Sequence, residues 1–481
     1  MYDFIIIGAG IIGSIIAREL SKYQVKAIVL EKENDVANVQ TLANSAIIHS
    51  GHNPEPNTLK AKFNVLGNKL YDELEKELNI PILHCGAFVV AHNKEEEEHL
   101  LELYENAKIN NVPEFELLDY KKAVKSEPNL SKNTTKVLSL PTTKVTNPWE
   151  VAFACMENAM ENGIEFQKNA EVTNIKYRDK HFIITINNQT KLESLAVINA
   201  AGVNSDDLAH MIEKDTPFYI RPRKGEYFVI DRRVKGFINH ILYPLPTDAG
   251  KGVLLTPQVH GEILIGPNSL YIDDKYNKSV TFEGLDYVKK NAPALAENIP
   301  FDKIIHSFAG VRASSNIDDF YIGESKEYKR LYHLGGIDSP GLSAAPAIAK
   351  YLLEDIIKIK QSYNKKNNFN PYRKKRIEFH RLPLNEQLEL IKQYPTYGNI
   401  ICKCEKITEK EIVDAIHSKL GSDTIKGIKK RTRAGSGLCQ GGYCEEKVMK
   451  IIARETSRSP LDTAYDSPKS KIFKAETKVE E

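Results

Sequence analysis

The chain opens on an unbroken apolar run, Phe4-Ile5-Ile6-Ile7, that stops at a glycine. A short apolar run closed by glycine reads as a buried strand, and the stretch Ile11 to Lys22 that follows has the spacing of a helix. A second apolar run, Ala27 to Leu30, ends in Glu31, so the N-terminus predicts a βαβ unit. Leu59, Phe63, Leu66, Leu70 and Leu74 recur every three or four residues, which predicts a helix over 59–79. Segments around 84–92, 164–186, 216–231 and 253–266 alternate or run apolar in short, β-branched and aromatic stretches. They suggest a second, mostly antiparallel sheet inserted into the first fold. The chain then returns to a strand (Leu331 to Leu334), a glycine turn and a helix (Ala344 to Ile359). Beyond this the pattern fades. Residues 358–380 are rich in Lys, Asn and Arg and read as a linker, Leu384 to Gln393 as a short helix, and the polar tail beyond about 455 as disordered.

The glycines between the first strand and helix carry the first chemistry. Gly8-Ala9-Gly10-Ile11-Ile12-Gly13 is GxGxxG, placed where a strand hands over to a helix. Gly8 permits the turn, Gly10 lets backbone amides approach a pyrophosphate, and Gly13 lets helix and strand pack closely. Glu31, about 20 residues on, stands where a carboxylate accepts from ribose hydroxyls. Three further segments favour FAD over NAD. Val197 to Gly202 is a buried strand ending in small residues; Glu171-Val172 precedes it as a strand edge against adenine; and Gly335-Gly336 with Ser339 to Ser343 sets glycines at another strand-to-helix junction. A helix N-terminus there would stabilise negative charge on a reduced flavin.

Composition adds limits. At 481 residues, 41% hydrophobic, 27% charged and with a net charge of +2, the chain has an ordinary globular balance and interleaved charges, which argues against nucleic acid as a main partner. No apolar run approaches the roughly 20 residues that span a bilayer, and the start lacks a basic leader, so a cytoplasmic location is expected. Four of the six cysteines, Cys402, Cys404, Cys439 and Cys444, crowd into the last fifth. Clustered cysteines without a secretory context point to a metal rather than to disulfides. CxC and CxxxxC can hold a [2Fe–2S] cluster or zinc, with Lys403, Arg431, Arg433 and glycine amides positioned to offset the thiolate charge.

The segment Ala43-Asn44-Ser45-Ala46-Ile47-Ile48-His49-Ser50-Gly51, with Pro54, Pro56, Leu59, Ala61-Lys62 and Asn64 to Gly67, resembles the D-amino-acid-oxidase-like FAD superfamily over about residues 1–360. It is most similar to the glycerol-3-phosphate dehydrogenase/oxidase branch, near the L-2-hydroxyglutarate dehydrogenases. Ala46 stands where that branch often has glycine. Residues 431–441, with the four cysteines, are similar to the [2Fe–2S] domain of bacterioferritin-associated ferredoxin, which also ends the large subunit of anaerobic glycerol-3-phosphate dehydrogenase. The resemblance implies an α/β fold: an FAD-binding Rossmann-like domain with an inserted antiparallel substrate domain, plus a small α-rich cluster domain. The FAD-binding parts would cover about 1–80, 150–210 and 300–360, and the substrate domain 81–149 and 211–299. A linker with a short helix (361–397), the cluster domain (398–455) and a tail (456–481) would follow.

FAD contacts are implied for Gly8, Gly10, Ile12, Gly13, Glu31 and Thr41, and for Ser45, Val172, Gly202, Gly336, Ile337 and Ser343. His49 and Arg312 are implied as catalytic, and Ser45, His49, Lys251, Arg312 and Ser339 as substrate-binding. Oxidising a secondary alcohol needs a base for the hydroxyl proton as hydride leaves carbon, and a histidine suits that task. An arginine fork suits a small anion, and Arg221 and Arg223 are either near the pocket or part of a charged turn. The expected activity is oxidation of sn-glycerol 3-phosphate to dihydroxyacetone phosphate, with electrons passing through the cluster to a partner subunit or carrier, which itself could bring the protein to a membrane surface. The alternatives are oxidation of L-2-hydroxyglutarate or another 2-hydroxy acid, or a non-catalytic electron-transfer subunit.

Overall fold

A computed structural model describes residues 1–246 and 252–475. The chain forms two compact units, residues 1–32 with 36–373, and residues 33–35 with 374–481.

In the first unit, Tyr2–Ile7 lies between Ala27–Leu30 and Thr190–Asn199, parallel to both. Leu331–Gly335 extends the sheet in parallel beyond Thr190–Asn199. Parallel strands buried on both faces must be apolar throughout, which is why Phe4 to Ile7 runs without a polar break. Helix Ile11–Leu20 packs against Pro148–Glu161 and Gly341–Tyr351, and Leu59–Leu78 also packs on Gly341–Tyr351.

The second sheet of this unit contains Ala87–Ala91, Lys136–Leu140, Arg223–Ile230, Leu254–Pro257, Ile263–Gly266 and Ile304–Arg312 among its nine strands. Its pairings are antiparallel except that of Ile241–Pro244 with Ala87–Ala91. Successive side chains of a strand face opposite sides. Ala87, Val89 and Ala91 accordingly join Leu100 and Leu103 in one core, while Phe88 and Val90 join Val288 and Leu295 in another.

Three expectations change here. Residues 165–186 belong to the first sheet, because the hairpin Val172–Arg178/His181–Ile186 pairs with the early half of the ten-residue strand Thr190–Asn199. Phe182, Ile184 and Ile186 thereby share a core with Ile5, Ile7 and Val197. Residues 361–373, read as linker, are fixed to the first unit: the Asn158 and Asn162 amides donate to Asn370 O at 3.0 and 2.9 Å, and Asn370 N donates to Asn162 Oδ1 at 2.9 Å. The tail beyond 455 is structured at least through its pairing of Ala464 with Thr424 and Lys471.

The second unit packs helices Glu409–His417, Ile425–Thr432 and Glu445–Thr456 around Ile401, Ile407, Ile412, Ile428, Val448 and Ile452. A reciprocal cap between Thr408 and Glu411 starts the first of these helices. Among the described residues, no helix is long and apolar enough to cross a membrane.

Candidate active site and cysteine centre

A Cβ on Gly13 would stand 1.9 Å from Gly8 O, so only glycine lets this helix close onto the turn. Ala9 N donates to Glu31 Oε2 at 2.7 Å, and Ile11 N donates to Thr41 Oγ1 at 2.9 Å. Its N-cap residue, Gly10, has no side chain to cap the helix, and the first turn holds no acid, which suits it to a phosphate. Beside it opens a cavity of about 850 Å³, lined by Gly8, Gly10, Ile12, Glu31, Thr41, Ser45, Val172, Gly202 and Ile337. This size lies within the range that small-molecule and cofactor sites occupy. The glycine N-cap, the glycine turn and the buried acid at the second strand's end fit FAD.

Gly13, Gly336 and Ser343 do not line this cavity. Gly13 serves helix packing. Gly336 takes a φ of +64° beside Ser315, where a Cβ would stand 2.5 Å from the hydroxyl. Ser343, fully buried, accepts from His49 N at 2.7 Å.

His49, Arg312 and Ser339 line the same cavity, together with Arg223, Lys60 and Tyr227. His49 Nδ1 meets the Tyr243 hydroxyl at 2.9 Å, and His49 O accepts from Asn68 Nδ2 at 3.0 Å. Burial, and secondarily Cys85, holds the Tyr243 hydroxyl well above its ordinary pKa, so it remains protonated. When Nδ1–H donates to it, the Nε2 lone pair is left as the basic site of the ring. Ser45 Oγ meets the Tyr227 hydroxyl at 3.2 Å. Ala46 adopts φ +63°, in the left-handed region, and Asn44 Oδ1 accepts from its amide at 2.8 Å.

Among the described residues, the Arg312 guanidinium has no hydrogen-bond or ion-pair partner. Asp338, on the same wall, is paired with Lys60 at 2.9 Å and accepts from Ser314 Oγ at 2.9 Å. Arg221 is exposed, with its guanidinium over the Tyr271 ring at 5.0 Å. Lys251 lies outside the described residues. Tyr243, Asn68 and Lys60 carried no sequence signal of their own; Tyr243 sits in an apolar strand that reads as core.

Gly67 explains one part of the matched segment. A Cβ there would stand 2.0 Å from Ser343 O, where the helices Leu59–Leu78 and Gly341–Tyr351 touch. Gly67→Ala is expected to force them apart at a cost of about 1–3 kcal/mol, displacing Ser343 and with it His49. Thermal unfolding and the rate of flavin reduction should both report this, and a variant with wild-type values in both would refute the coupling.

In the second unit the four thiols stand as two pairs. Cys404 Sγ and Cys439 Sγ are 3.7 Å apart, and the Cys402 and Cys444 thiols are hydrogen-bonded. That bond, with main-chain N–H groups of Gly435 and Glu405, draws the Cys402 thiol down to about 6 despite burial, and the same bond pushes Cys444 up. Two pairs of thiols fit a two-iron cluster, in which each iron takes two of them. The basic residues are placed otherwise than expected. Arg433 donates to Glu405 at 2.9 Å, and Lys403 lies over the Tyr443 ring at 4.7 Å. Arg431 forks onto Asp35 with both bonds at 2.8 Å and donates to Leu420 O. Burial alone would raise the Asp35 carboxyl, but Arg431 and Lys430 hold it well below the usual range. Arg431 is therefore a structural cation, and the thiols draw on main-chain amides instead.

Residues 3–354 match the family model described as FAD dependent oxidoreductase, and residues 400–454 match the BFD-like [2Fe-2S] binding domain. The chain belongs to the FAD-dependent oxidoreductase family and carries a [2Fe–2S]-binding domain behind its flavin fold. It is 42% identical over 480 residues to a glycerol 3-phosphate dehydrogenase of Caloramator mitchellensis, with 100% of each chain covered. The FAD-bound L-alpha-glycerophosphate oxidase of Mycoplasma pneumoniae superposes with a TM-score of 0.73 at 31% identity, covering 77% of this chain and 98% of that one. An L-2-hydroxyglutarate dehydrogenase of Escherichia coli is 31% identical over 274 residues, 56% of this chain and 64% of that protein.

Proposed function

We propose that the protein oxidises sn-glycerol 3-phosphate to dihydroxyacetone phosphate, with residues 1–360 carrying this chemistry and residues 398–455 the electron exit. The observation that carries the reading is the placement of His49 and Arg312, the latter without a partner among the described residues, in the cavity that also holds the dinucleotide cradle. The two relatives named for glycerol 3-phosphate and glycerophosphate, one of them matched along its whole length, support the choice of substrate.

Arg312 binds the anionic end of the substrate and sets C2 against the reacting face. His49 Nε2 takes the hydroxyl proton as C2 gives up hydride and its bond to oxygen becomes double. Ser45, held by Tyr227, and Ser339 offer hydroxyls to the rest of the substrate. FAD, when bound, supplies the two-electron acceptor. The four cysteines would hold a [2Fe–2S] cluster, whose one-electron chemistry suits delivery to a separate subunit or carrier. Six cysteines, none in a disulfide among the described residues and four of them assigned to the cluster, fit a reducing cytoplasm.

The test is anaerobic titration of the FAD-loaded protein, followed by flavin and cluster absorbance together. Stoichiometric bleaching by sn-glycerol 3-phosphate is expected. Bleaching by L-2-hydroxyglutarate instead would transfer the reading to a 2-hydroxy acid. Bleaching by neither would leave an electron-transfer subunit and end the proposal.

A further inference from the structure

We propose that Arg223 is a second anion-binding residue of the substrate pocket, and that the Arg223–Arg312 pair selects a phosphate dianion over a singly charged acid. The inference rests on the substrate reading above and specifies how its charged end is recognised. Arg223 and Arg312 are direct partners in the antiparallel pairing of Arg223–Ile230 with Ile304–Arg312. Directly opposed residues of such a pair project to one face, and both of these line the cavity. Like charges placed opposite each other repel, and an anion bound between the two guanidinium groups would offset that repulsion.

The pair is also arranged in detail. Arg223 Nε donates to Ser269 Oγ, and its guanidinium lies 5.4 Å from the centre of the Tyr271 ring. These contacts hold the fork in the cavity lining instead of leaving it to sweep through solvent. The Arg312 terminal nitrogen passes over Gly225, where a Cβ would stand only 2.7 Å from it. Burial, then the neighbouring Arg312, lowers the affinity of Arg223 for its proton, in keeping with two cations sharing one space. Asp338, a carboxylate of the same wall that also acts on Arg223, is engaged by Lys60 and Ser314.

The chemistry follows from counting charges and oxygens. A phosphate monoester offers three terminal oxygens and close to two charges near neutral pH, enough for two guanidinium forks. A carboxylate offers two oxygens and one charge, enough for one fork.

The experiment uses the full-length, FAD-loaded protein with Arg223→Gln and Arg223→Lys. Calorimetric titration with inorganic phosphate, and separately with acetate, reads binding without turnover; the KM and kcat for sn-glycerol 3-phosphate read the reaction. Hydrogen bonds between charged groups are strong enough that Arg223→Gln should weaken phosphate binding and raise KM by about ten- to a hundredfold. The kcat should fall far less, acetate binding should change by under about threefold, and Arg223→Lys should recover part of the loss. Unchanged phosphate affinity and KM in an Arg223→Gln protein that retains FAD would overturn the inference and leave the proposed substrate standing. If Arg223→Gln fails to retain FAD, Arg223→Lys decides: phosphate affinity and KM equal to wild type overturn the inference, and intermediate values support it. Wild-type protein that binds phosphate through Arg223 but is not bleached by sn-glycerol 3-phosphate would do the reverse, retaining the subsite and removing the substrate.

Discussion

His49→Gln is expected to slow substrate-driven flavin reduction by about a hundred- to ten-thousandfold, the usual range for removing a general base. The loop should survive the change, because its anchors act on the main chain: Ser343 Oγ accepts from His49 N, and Asn68 donates to His49 O. FAD content and KM should therefore stay near wild type while the rate collapses. Tyr243 cannot replace the imidazole, since burial keeps its hydroxyl protonated far above the neutral range. Rapid-mixing measurement of anaerobic flavin bleaching checks this, and a wild-type rate in His49→Gln would remove the residue from proton transfer.

Cys402→Ser is expected to divide the protein's electron path in two. Cys402 is only 1% exposed and draws together the Cys444 thiol and the Gly435 and Glu405 amides. Without it the centre loses a buried ligand, so cluster iron and the reduced-state EPR signal should vanish. Bleaching of FAD by sn-glycerol 3-phosphate should persist, because the dinucleotide cradle draws on none of these residues. Turnover with a one-electron acceptor should fall with the iron content. A Cys402→Ser protein that keeps both its iron and that turnover would refute the assigned exit.

Much of this was legible in the chain, for identifiable reasons. The turn Gly8 to Gly13 could be read because strand, glycines, helix and Glu31 all constrain one local conformation. The same local reading placed residues 164–186 in the wrong sheet, since alternation reports which side chains face a core but not which strand lies alongside. The strap at 361–373 looked like a linker because its anchors are the Asn158 and Asn162 amides, which impose no apolar rhythm. Arg431 could be found by its motif, but its partner Asp35 lies 396 residues away. Tyr243 and Asn68 reach His49 only after folding, and nothing near them in sequence marks the meeting. Arg223 was visible as a charge, while its register against Arg312 was not.

The anchoring of His49 N by Ser343, 294 residues further along, has a consequence for biosynthesis. The first strand also waits for Thr190–Asn199, which in turn waits for Leu331–Gly335. At about 5–20 residues per second, a ribosome needs tens of seconds to deliver Ser343 after His49. Until residue 199 is made, Phe4 to Ile7 keep an open edge, and from then until Leu331–Gly335 arrives the open edge is that of Thr190–Asn199; such long-range pairings close slowly. A nascent fragment that stops short of residue 343 lacks the anchor on His49 N, so a truncated chain should be inert and prone to aggregate. A nascent chain that depends on so late a closure is a natural client for chaperones.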